Sequence, residues 1–197
     1  MKILHIDCSP RPVSHSRRLS AAIVARMRAR HPEAAVVRRD LGRDPLPHAD
    51  PGYAAALSSP DALAAGLASG AARLSEQLIQ ELEAADIVVI GTPMNNFTVP
   101  SVLKAWIDQI LRIGRTFSSS AAGKTGLLRD RPVFIGIASG GIFMGERANQ
   151  PDFLTPYLRA ALGCIGLNTL HFLPLQATAF LDDERLAAAR ETLLAAI

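Results

Sequence analysis

The chain runs to 197 residues, with 49% hydrophobic and 20% charged residues, two cysteines and a formal net charge of +3. That length fits one α/β domain, the apolar share excludes a disordered tail, and the mild positive balance suits an anionic ligand as well as a generic basic surface. No dense Lys/Arg block with interleaved aromatics points to nucleic acid, no apolar stretch reaches membrane-spanning length, and Met1 to Asp7 is too short and polar for a signal peptide, so a cytoplasmic location is expected.

Ile3 to Asp7 is a short apolar run that leads into Cys8-Ser9-Pro10-Arg11-Pro12. Proline excludes helix there, so a buried first strand and a turn are predicted. Leu19, Ile23, Val24 and Met27 follow at helical spacing, with Ser16 as the expected cap. Val36-Val37 make a weaker second strand ending near Asp40. Leu41 to Gly70, rich in Pro, Gly, Asp and Ala, reads as a long irregular segment of the kind that serves as a functional loop or lid. A helix resumes over Ala71 to Leu82, and Asp86 to Ile90 is the clearest strand of the chain.

The helix beyond Phe97 carries Val102, Leu103, Trp106, Ile107 and Ile110, and Gly114 is its expected stop. Val133 to Ala138 is a fourth strand, broken by Ser139-Gly140-Gly141. Tyr157 to Leu162 reads as helix, Leu170 to Leu175 as a fifth strand, and Asp182 to Ile197 as a final helix capped by Asp182. Such alternation predicts a single α/β domain over 1–197 with a doubly wound, five-stranded parallel sheet of order 2-1-3-4-5. Sheets of this kind bind ligands beyond the carboxyl ends of their strands, which directs attention to the loops after strands one, three and four.

The first of those loops, Ser9 to Ser16, holds no glycine, which excludes the G-x-G-x-x-G dinucleotide fingerprint. It offers Ser9, Ser14 and Ser16 with His15 and Arg11, a set that can cradle a phosphate monoester at a helix N-terminus or form an ordinary capped turn. Cys8 is a weak candidate nucleophile, because the arginine that a cysteine phosphatase carries six positions on is Ser14 here. Gly123-Lys124-Thr125 is likewise no P-loop, since the required upstream glycine is Ser118 and a strand follows the motif instead of preceding it. Cys8 and Cys164 read as separate reduced thiols, and no metal site is expected.

In the third-strand loop, Pro93 stiffens the turn, Met94 offers a polarizable face, and Asn95 and Asn96 before Phe97 can pair with a heteroaromatic edge or simply form an Asx-rich turn. In the fourth, Ala138-Ser139-Gly140-Gly141 brings main-chain amides close to a flat ligand or makes a loose turn.

Those three loops, with Ala85 to Phe97, Leu103-Lys104, Asp108, Gly114 to Phe117, Ser139 to Ile142, Leu154 to Leu158, Gly163 and Ile165-Gly166, resemble the FMN-dependent NADH:quinone oxidoreductases, also called azoreductases, of flavodoxin-like fold. The resemblance covers nearly the whole chain. It implies that Ser9, Ser14, His15 and Ser16 hold the FMN phosphate, and that Pro93, Met94, Asn95, Asn96, Phe97, Ala138, Ser139, Gly140 and Gly141 line the isoalloxazine. It further implies a homodimer and ping-pong transfer of two electrons from NADH to quinones or azo compounds, with hydride handled at the flavin N5 and no side chain assigned as catalytic. Asn95 stands where the family usually has Tyr, and Ser139 where it often has Arg; Phe117 keeps an aromatic position or is simply core. The rivals are a flavodoxin-like electron carrier for a protein partner and a flavin-free interaction protein on the same fold.

Overall fold

A computed structural model describes residues 1–197, apart from the side chain of residue 60. The elements in chain order are β1 (Lys2–Asp7), α1 (His15–Arg30), β2 (Ala35–Asp40), α2 (Pro51–Ala56), α3 (Pro60–Ser69), α4 (Arg73–Glu83) and β3 (Ile87–Pro93). There follow α5 (Ser101–Ile110), β4 (Phe117–Ser120), β5 (Gly123–Gly126), β6 (Val133–Ala138), α6 (Thr155–Cys164), β7 (Leu170–Leu175) and α7 (Asp183–Ala195). Five strands form one parallel sheet in the order β2-β1-β3-β6-β7, the predicted order once the separate β4–β5 hairpin is set aside.

Period-two alternation divides the strand side chains between two cores. Leu4, Ile6, Val88, Ile90, Ile135 and Ile137 pack with Leu78, Leu82, Leu103 and Trp106 of α4 and α5. Ile3, Val89 and Phe134 pack on the other face with Leu19, Ile23 and Met27 of α1 and Leu186 and Leu194 of α7. No helix among the described residues is long and apolar enough to cross a membrane.

Four local expectations are corrected. Ser14, not Ser16, caps α1: its side chain accepts from the Arg17 N–H, and Ser16 lies one residue inside the helix. The segment Leu41 to Gly70 is not irregular but holds α2 and α3, started by Asp50 and Ser59 accepting from the Tyr53 and Ala62 N–H groups. Each proline after those caps is a helix-start signal and not a breaker. The helix α5 ends at Ile110, capped by Leu111, before Gly114 is reached. Finally, Phe117 to Gly126 forms the unpredicted antiparallel hairpin, with Gly123-Lys124-Thr125 exposed on β5 and Lys124 Nζ 5.1 Å from the buried Phe117 ring.

Candidate functional site

The carboxyl ends of β1, β3 and β6 meet at a cavity of about 460 Å³, well within the range of small-molecule sites. The predicted residues Ser9, Ser14, His15, Ser16, Pro93, Met94, Asn95, Ala138 and Gly140 all line it. Arg11 lines it too, as do Pro10, Thr178 and Ala179, which the sequence did not single out. Thr178 and Ala179 belong to the turn after β7, and their backbone N–H groups donate to the carbonyls of Ser139 and Gly140. No sequence pattern marked that turn.

The serine end is built by close packing of α1 on the sheet. A Cβ at Gly91 of β3 would lie 2.5 Å from Ser20 Oγ and 2.9 Å from the Ser16 carbonyl, so glycine there lets the first turn of α1 sit directly over the strand. Ser9, Ser14 and Ser16 are buried, and the Ser14 and Ser16 hydroxyls lie 3.2 Å apart. With Ser14 satisfying Arg17, the first-turn N–H groups of His15 and Ser16 remain as free helical donors. Hydroxyls, free amides and the positive end of a sixteen-residue helix fit a phosphate monoester. Burial, followed by the charges of Arg18 and Arg11, lowers the His15 pKa.

Beneath this loop lies a buried ionic network. Arg38 donates to Asp7 (2.7 Å), Ser20 Oγ donates to the same carboxylate (2.8 Å), and His5 Nε2 lies 3.0 Å from Ser20 Oγ. Burial alone would raise the Asp7 pKa, but His5, Ser20 and Arg38 outweigh it and bring it down to about 2. Neighbouring Cys8 is fully buried, and that burial, aided by the charge of Asp7, pushes its thiol far above the ordinary range. A thiol in that state is no nucleophile.

The opposite wall is a strained hairpin. Asn95 and Thr98 exchange two backbone hydrogen bonds of 3.0 Å across Asn96 (φ 48°) and Phe97 (φ 70°), a two-residue turn with both central residues left-handed. The residues in left-handed conformation are therefore Asn96 and Phe97. Asn96 and Phe97 stand off the cavity lining, and Phe97 is exposed. Ser139 is buried behind the wall, where Gln150 Nε2 donates to its hydroxyl (2.8 Å) and approaches the Met94 sulfur (3.2 Å). Gly141 also lies off the lining, and a Cβ there would come within 2.5 Å of Gln150 Oε1.

A family model described as "Flavodoxin-like fold" matches residues 1–197. The chain is 50% identical over 182 residues to FMN-dependent NADH:quinone oxidoreductase 4 of Pseudomonas fluorescens, covering 92% of this chain and 86% of that one. It is 47% identical over 191 residues to FMN-dependent NADH:quinone oxidoreductase 5 of Burkholderia lata, covering 95% and 90%. Among solved structures, an azoreductase from Bacillus anthracis superposes with a TM-score of 0.85 at 24% identity, covering 100% of this chain and 98% of that one. An FMN-dependent NADH-azoreductase of the same species, in complex with FMN, gives 0.82 at 23% identity over 99% and 96%. At such identity these two likenesses speak for the fold.

Proposed function

As a member of the flavodoxin-like family of FMN-dependent NADH:quinone oxidoreductases, the chain is an oxidoreductase, and we propose that it binds FMN in the cavity and passes two electrons from NADH to quinones and azo compounds by a ping-pong mechanism. The observation that carries the reading is one cavity with a buried serine cradle at the N-terminus of α1 and an apolar wall opposite. Bound FMN would supply the hydride chemistry; the protein supplies orientation and electrostatics.

In this reading Ser9, Ser14, His15 and Ser16 hold the phosphate with the α1 amides. Pro93, Met94, Asn95, Ala138 and Gly140 wall the ring, while Ser139 and Gly141 support that wall from behind. No side chain is assigned as catalytic. Asn96 and Phe97 form the rim where donor and acceptor enter in turn. Phe153, whose N–H donates to the Phe97 carbonyl at 3.0 Å, extends that exposed apolar rim, which the second copy of a cytoplasmic homodimer would cover.

An anaerobic absorbance titration of the FMN-loaded protein with NADH, followed by a quinone, tests the reading. Bleaching by NADH and recovery with quinone is the expected result. A bound flavin that NADH cannot bleach would support a one-electron carrier instead, and no bound flavin would end both redox readings.

A further inference from the structure

The guanidinium of Arg17, on the first turn of α1, turns away from the phosphate cradle. Its Nε and Nη2 both donate to the Ser9 carbonyl, at 2.9 and 2.7 Å, and its Nη1 donates to Asp40 at 2.7 Å and lies 3.5 Å from Asp7. Asp7 and Asp40 are register partners at the carboxyl ends of β1 and β2, so the parallel pairing sets two carboxylates side by side. Arg17 answers that pair, and with Arg38 on Asp7 two cations meet two anions. Arg17 thus has little charge left to offer a ligand.

What it offers is position. The Ser9–Pro10 peptide is gripped from two sides, by Arg17 at the Ser9 oxygen and by the backbone of Gly42 just beyond β2. A Cβ at Gly42 would come within 2.1 Å of that same oxygen and 2.9 Å of the Pro10 nitrogen. The Gly42 N–H also donates to the Asp7 carbonyl at 3.1 Å, which fixes the strand end to the loop. The arrangement is complete within the protein, so the turn carrying Ser9 needs no ligand to take its shape.

Resting on the FMN reading above, we infer that Arg17 is a positioning residue, anchored by Asp40 and Asp7, that presets the Ser9 turn for the phosphate of FMN and makes no contact with that phosphate. Preorganisation of this kind acts on the part of the ligand that the loop receives and leaves the rest unaffected.

The test compares FMN with riboflavin, which lacks the phosphate, by fluorescence titration of the flavin-free protein. For Arg17→Gln we expect FMN affinity to fall at least tenfold while riboflavin affinity changes less than twofold. Arg17→Lys, which keeps the charge but cannot grip both the Ser9 oxygen and Asp40, is expected to restore little of the loss. Asp40→Asn, a milder change at a partly exposed anchor, is expected to lower the FMN preference severalfold and provides the reading if the Arg17 variants do not fold. Equal losses for both flavins, full rescue by lysine, or an unchanged FMN preference in Asp40→Asn would overturn the inference. Wild-type protein that binds FMN no better than riboflavin would instead remove the phosphate site itself, and the inference with it.

Discussion

The loops after β1 and β3 meet at one cavity, and they are held by different means. The first rests on buried charge: Asp7, Asp40 and Arg17 lock the Ser9 turn, and its three serines are out of solvent. The second, Asn95 to Thr98, is closed by two backbone hydrogen bonds, and its bulky Phe97 sits at φ 70° with 45% of its surface exposed. Left-handed φ is costly for such a residue. A fixed end suits a ligand group that never varies, whereas a lightly held rim suits acceptors that differ in shape. Asn95 falls at this second end.

The contrast can be broken from either side. Ser16→Ala removes a buried hydroxyl from the fixed end and should weaken FMN binding by about 1.5–3 kcal/mol, the value of a charge-assisted hydrogen bond. Isothermal titration checks it, and unchanged affinity would take Ser16 out of the site. Asp7 gives a pH signature to the same end. Its folded pKa of about 2 lies below the 3.8 of an unperturbed aspartate, so its stabilisation is fully present above 3.8 and is lost as pH falls through 2. The shift is worth about 2 kcal/mol. Acid unfolding of Asp7→Asn should therefore show a flatter pH dependence in that window, and a wild-type slope would show that other carboxylates govern it.

The smallest effect belongs to the rim. Phe97→Asn places a residue tolerant of left-handed backbone where little packing is lost, so stability should hold or rise by less than about 1 kcal/mol. FMN affinity should not move, while KM for bulky quinones should. A marked loss of FMN affinity in this variant would mean that the two ends are not separable.

How far the sequence could be read follows the same division. The five sheet strands are legible because each holds a short apolar run, β-branched in β3 and β6 and weaker in β2, and the helix faces because Leu19, Ile23 and Met27, or Leu103, Trp106 and Ile110, repeat at helical spacing. The serines, Pro93 to Asn95, Ala138 and Gly140 are legible as parts of the cavity because strand carboxyl ends gather their loops. The helices α2 and α3 are not, since Pro, Gly and Ala at their starts look like loop composition. Nor is the β4–β5 hairpin, whose Ser, Gly and Lys residues show no apolar alternation. The Arg17 anchor stays hidden because it depends on strand register: only the pairing of Asp7 with Asp40 shows two acids in need of one cation.

On the quinone-reductase reading proposed above, the burial of Cys8 carries a chemical consequence. Quinones are electrophiles that arylate thiolates by conjugate addition, and a reductase meets them continually at close range. Cys8 lies at the end of β1 next to the Ser9 turn, yet it has no exposed surface and is held in the protonated, unreactive form. Cys164 at the end of α6 is only partly buried and is the thiol that an electrophile reaches first. Damage by the acceptor would therefore begin at α6 and spare the strand end that supports the cofactor loop.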